Sequence, residues 1–177
     1  MNMPIEDLIN IMPPPQAPIE SHGETWASVE GAIGTVLPTD YKAFIENYGS
    51  GRINAFVWIF NPFSNRPGIN LVNQVSAQLN ALKTLANDFG EKCPYALFPE
   101  NGGLLPLGMT DNGDVIHWLT KGKPDEWRIV VNEARGPRYE EFDSDLTSFL
   151  RMILTRDSQC SLLPRSFPQG TPSFEAK

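Results

Sequence analysis

Apolar residues recur along this chain with two different periods. Tyr41, Phe44, Ile45 and Tyr48 fall at i, i+3, i+4 and i+7, one stripe of a helix over 38–48. Pro38 suits its first turn, where a missing amide hydrogen costs nothing, and Gly49 provides a left-handed stop. Val72, Val75, Leu79, Leu82, Ala86 and Phe89 alternate by threes and fours, predicting a long helix over 72–89 ended by Gly90. Shorter periodic stretches predict helices at 5–11 and, with Trp26, Val29 and Ile33, at 24–33. A last helix carries Leu146, Phe149, Leu150 and Ile153, with Asp143 or Ser144 as its cap.

Elsewhere the period shortens to two. Residues 53–60 predict one strand, with Phe56, Trp58 and Phe60 on one side and Val57 and Ile59 on the other. Both faces are apolar, which predicts a central strand covered on both sides. Strands over 104–110 and 115–120 flank Asn112-Gly113, the dipeptide a type I′ hairpin turn prefers. Further strands are predicted at 128–133 and 139–142, and a short one at 95–98. Residues 61–68 are rich in turn formers and predict a loop. The order of helices, strand, long helix, antiparallel strands and helix gives an α+β fold, a single domain with a mainly antiparallel sheet packed with helices. Residues 1–21 form a leader, a short helix followed by a proline-rich linker outside the main fold. Residues 156–177 form a tail with Pro164, Pro168 and Pro172, expected to lie extended on the core through Leu162, Leu163, Phe167 and Phe174.

Composition narrows the function. The 177 residues are 41% hydrophobic, enough for one sizeable core, and carry a formal charge of −7. That balance argues against nucleic acid as a direct partner, since phosphate neutralisation needs clustered Lys and Arg. It fits a partner with a basic surface. The first 48 residues hold seven acids and one base, so nearly all the imbalance lies there. Glu24, Glu30, Asp40 and Glu46 are the candidate contacts from this stretch, although the same acids also suit a solvated helical face. Asn65 and Arg66 in the 61–68 loop, and Asp111 and Asp114 at the hairpin end, are the alternative contacts. No basic start with an apolar run behind it, and no apolar run of membrane length, is visible, and two cysteines make no disulfide framework. A reducing, cytoplasmic setting is expected.

Catalytic equipment is sparse. His22 lies in a Ser-His-Gly segment between the proline linker and a helix; His117 sits on a strand between apolar neighbours. A general base needs a nucleophile or orienting group within hydrogen-bond reach, and no catalytic motif surrounds His117. Pairing with Cys93 is conceivable, but a packed histidine and a small half-buried thiol are the simpler readings. Asp111-Asn112-Gly113-Asp114 lacks the later acidic ligands of a calcium loop. Neither a metal nor a cofactor is expected, and the chain is read as a non-enzyme. Trp58, Trp118 and Trp127 suit core or rim packing, though aromatic residues also dominate interface hot spots.

Trp26, Leu37-Pro38, Tyr48-Gly49, Gly51, Gly108, Gly113-Asp114, Trp118 and Trp127-Arg128-Ile129-Val130-Val131 occur in an order and spacing that resembles the SUKH superfamily, over residues 22–155. The founding members of that superfamily are fungal regulators of cell-wall synthesis. The resemblance implies a non-enzymatic α+β domain. Bacterial members are mostly immunity proteins that bind and neutralise a cognate polymorphic toxin, often a nuclease; regulation or scaffolding of wall or envelope synthesis is the alternative it implies. No catalytic or binding residue carries over, and the matched tryptophans and glycines are expected to hold the fold.

Overall fold

The computed structural model describes residues 4–177. The opening Met1-Asn2-Met3 of the expected leader lies outside the described residues. Five α-helices are described, α1 (Ile5–Ile11), α2 (Trp26–Ile33), α3 (Thr39–Tyr48), α4 (Leu71–Phe89) and α5 (Leu146–Thr155). The strands are β1 (Gly51–Ile53), β2 (Val57–Ile59), β3 (Leu104–Thr110), β4 (Val115–Leu119), β5 (Arg128–Asn132), β6 (Tyr139–Phe142) and β7 (Phe174–Ala176). They form one sheet in the order β6-β5-β4-β3-β2-β1-β7, with every neighbouring pair antiparallel. This is the expected α+β plan. Six strands follow one another as a meander, and the tail adds the seventh beside β1.

Strand alternation sorts the side chains. Ile53, Val57, Ile59, Leu105, Leu107, Ile116, Trp118, Ile129 and Val131 join the main core. Leu8 of α1, Tyr41, Phe44, Ile45 and Tyr48 of α3, and Leu146, Phe149, Leu150 and Ile153 of α5 fill that core from the helical side. The matched Trp118 is buried at its centre, edge-on to Tyr41 at 5.0 Å and beside Trp127 at 6.0 Å. Two buried phenols reach backbone acceptors: Tyr41 donates to Phe60 O at 2.6 Å and Tyr48 to Met12 O at 2.6 Å. The second bond ties the chain before the linker to α3. Gly49 ends α3 at φ +66, and a Cβ there would meet Ile19 O at 2.1 Å, so only glycine lets the incoming chain pass.

Four local expectations are corrected. Residues 53–60 are two strands, because Asn54 and Ala55 take φ 46° and 52° and Phe56 N bonds Ile53 O at 3.0 Å. That is the geometry of a type I′ turn. The tail holds it, since Asn54 N donates to Ser173 O at 2.8 Å and Ser173 N to Asn54 Oδ1 at 3.0 Å. At 112–113 only Gly113 has positive φ, and Thr110 N bonds Asp114 O at 2.9 Å, closing a three-residue loop instead of a two-residue turn. The cap of α5 is Asp145, whose side chain accepts from Ser148 N at 2.8 Å. Residues 95–98 contribute only an isolated bridge, Leu97 to Leu104. Helix α4 buries Leu71, Val75, Leu79 and Leu82, whereas Phe89 of the predicted stripe stays 71% exposed and Leu85, outside it, 37%.

Candidate functional site

Register, read strand by strand, builds one row across the second face of the sheet. Glu175 of β7 opposes Arg52 of β1, Arg52 opposes Trp58 of β2, Trp58 opposes Met109 of β3, and Met109 opposes Val115 of β4. Directly opposed residues share a face, so this row lies on the face opposite α1, α3 and α5. Trp58 is its centre. Its indole N–H donates to Asp111 Oδ1 at 2.9 Å, and the Arg52 and Arg66 guanidiniums stand 5.8 Å and 5.9 Å from its ring. Arg52 pairs with Asp111 at 3.4 Å and with Glu175 at 3.2 Å. Arg66 lies 4.0 Å from Glu20 and donates to the Lys177 carbonyl. The Asp111 and Arg66 side chains remain 41% and 46% exposed, so the cluster is open to solvent.

Hydrogen bonds tie down the scaffold beneath it. Glu20 accepts from Ser50 Oγ at 2.7 Å and from Asn65 N at 3.0 Å, tying the 61–68 loop to the end of α3. Burial alone would raise its carboxyl, but the Ser50 and Asn65 donors and nearby Arg66 outweigh burial and hold it below the usual range. An ordered loop and a register-fixed strand therefore present Arg66 and Trp58 to each other.

The eight candidate contacts do not form one patch. Arg66 and Asp111 meet at Trp58, and Asn65 is exposed beside Arg66. Asp114 is turned inward, accepting from Thr110 Oγ1 at 2.8 Å and from Ala134 N at 3.0 Å. The two hairpin carboxylates thus point to different partners instead of converging on an ion. Glu30 and Glu46 gather around Trp26: Lys42 lies 5.7 Å from the indole ring and 2.5 Å from Glu30, and the indole N–H donates to Glu46 at 3.0 Å. Burial would raise Glu30, yet the Leu37 amide and Lys42 keep its carboxyl low. Glu24 is exposed and accepts from Ser28 Oγ at 2.8 Å. Asp40 faces inward at the start of α5, accepting from Thr147 N at 3.1 Å. Burial, then the neighbouring Asp145 charge, push its carboxyl up to about 6.

Sequence reading missed Trp58 and Arg52 as a pair. A continuous strand over 53–60 placed Trp58 between two covered faces; the turn at Asn54-Ala55 brings Arg52 back across to it. Asn54 was the available signal, because asparagine tolerates the left-handed region better than most residues.

His117 is fully buried, and its Nε2 meets Asn132 Oδ1 at 2.6 Å. Burial lowers its pKa to about 4 despite the Asn132 bond. Cys93 is a free, half-buried thiol. Among the described residues, no group of three or more His, Cys, Asp or Glu side chains is placed to hold a metal ion, and no helix is long and apolar enough to cross a membrane.

A meander sheet cored by aromatic residues on one face and carrying an aromatic–guanidinium cluster on the other defines a single-sheet α+β domain. Comparison with known families places it further. The SMI1-KNR4 cell-wall (SUKH_6) family model matches residues 23–150, and the chain belongs to that family. No curated protein and no solved structure matches the chain.

Proposed function

We propose that this chain is a non-enzymatic protein-binding domain that neutralises a cognate toxin by docking on it, an immunity protein of its family. The Trp58 cluster carries the reading. Tryptophan and arginine are the side chains most enriched at binding hot spots, and here one tryptophan and two arginines are held in place by Asp111, Glu175 and Glu20. Preset side chains lose little further entropy on docking. The partner is a protein, with a basic region that meets the acids near Trp26; long-range attraction to a chain of net charge −7 speeds encounter. We place the complex in the cytoplasm, with no nucleic acid or membrane in direct contact. Asp40 and Asp114 are left out of the contact because both are spent inside the fold. Support for a non-enzymatic role comes from His117, which is fully buried with its Nε2 committed to Asn132.

The test is titration calorimetry against the product of the neighbouring toxin gene, with the toxin's activity followed in parallel. The reading requires stoichiometric binding, loss of toxin activity at one equivalent, and weakening of both by Trp58→Ala. Absence of any toxin partner overturns it. The family's cell-wall description favours one alternative, a regulator or scaffold of wall or envelope synthesis. Capture of a wall-synthesis protein at the same Trp58 face, with no toxin bound, decides for it.

A further inference from the structure

The row that begins at Glu175, Arg52, Trp58 and Met109 does not stop at Val115. Val115 opposes Asn132 of β5, and Asn132 opposes Tyr139 of β6. Those three residues, with His117, form one wall of a cavity of about 300 Å³; Leu82 and Leu85 of α4 form the other. The Trp58 cluster and this cavity therefore lie on one continuous line across the same face, joined through Met109.

The chemistry of the cavity is specific. Asn132 Nδ2 donates to Glu133 O at 3.3 Å, which orients the amide so that Oδ1 faces His117. Oδ1 can only accept, so His117 Nε2 carries the hydrogen. In a neutral imidazole the other nitrogen is then an acceptor. Nδ1 has no partner, although the residue is fully buried. A buried acceptor without a donor is costly, so it is a natural place for an incoming O–H or N–H. Leu82, Leu85 and Val115 supply apolar walls, and Lys92 and Arg135 are exposed at the lining. Cations there suit the face of an aromatic ring. Glu91 and Glu133 in the same lining oppose a carboxylate. The volume is at the lower limit of small-ligand pockets, about 300 Å³, and suits one large side chain.

We propose that this cavity is the anchor pocket of the interface: it takes a tyrosine or tryptophan side chain of the partner protein, whose O–H or N–H donates to His117 Nδ1, while Trp58 contacts the same partner farther along the row. This rests on the protein-binding reading above and adds the partner's anchoring residue.

The test uses the full chain with labelled Leu, Val and His, titrated with p-cresol, toluene and benzoate and followed by NMR. We expect p-cresol to move the Leu82, Leu85 and Val115 methyl signals and the His117 Nδ1 resonance, with toluene at least fivefold weaker. Leu85→Trp, at a partly exposed rim position, should cut p-cresol affinity at least fivefold at unchanged Tm, and weaken the toxin complex by a similar factor. Equal binding of toluene and p-cresol, tighter binding of benzoate, or no binding of either aromatic would each overturn the proposal. So would an L85W protein that has lost p-cresol but holds the toxin like the parent. That last result leaves toxin binding at Trp58 intact, whereas a toxin that binds neither protein removes the functional reading itself.

Discussion

Asp40→Asn isolates one buried charge. The Asp40 carboxyl accepts from the amide of Thr147, beside Asp145, which caps the same helix. Burial, then the Asp145 charge, raise it from 3.8 to about 6. The native protein therefore holds a proton that the unfolded chain has lost between about pH 4 and pH 6. Stability falls as pH rises through that window, because the unfolded state binds fewer protons there. A shift of this size is worth up to about 3 kcal/mol. Asparagine keeps an acceptor for the Thr147 amide and removes the titration. Urea unfolding of parent and variant across about pH 4 to 7.5 gives the difference curve. The variant should gain on the parent by up to about 3 kcal/mol as pH rises through the window, and the difference should level off above it. His117 works oppositely in both proteins: burial depresses it from 6.5 to about 4, so stability falls as pH drops through that range. Its contribution cancels in the difference. A flat difference curve, or one in which the variant loses ground at higher pH, refutes the placement of Asp40 against Asp145.

Trp58→Ala should weaken the toxin complex by about 2 kcal/mol or more with little change in Tm, because the ring lies on the outer face; calorimetry and a thermal melt check both halves. Phe44→Ala and Trp118→Ala should each cost about 3–5 kcal/mol in chemical denaturation, since both side chains are 1% exposed in the core. Reversing Glu24 and Glu46 together should slow association with the toxin and flatten its salt dependence while dissociation changes less, read by stopped-flow at two salt concentrations. Deleting residues 174–177 should destabilise the turn at Asn54-Ala55 and loosen Arg52 and Arg66; faster amide exchange at Phe56 and Val57 is the expected sign, because Glu175 and Lys177 partner those arginines.

The sequence by itself determined the helical stripe of α3, the existence of α4 and α5, the β3–β4 hairpin and the α+β class. These follow from local period, proline and glycine stops, and near-neighbour turn chemistry. The matched Trp118, Trp127 and Tyr48-Gly49 also identified the superfamily before any contact was known. Only the tertiary structure decided that Asn54-Ala55 breaks an apolar run into two strands, since Ser173, more than one hundred residues away, bonds both the amide and the side chain of Asn54. It alone separated Asp111, which holds Trp58, from Asp114, which is spent on Thr110 and Ala134, because three residues around a tight loop are enough to send two carboxylates to opposite sides. It also decided that Phe89, on the same predicted stripe as Leu79 and Leu82, stays uncovered. Periodicity tells which side chains share a face of an element; what lies against that face is set by chain brought from elsewhere.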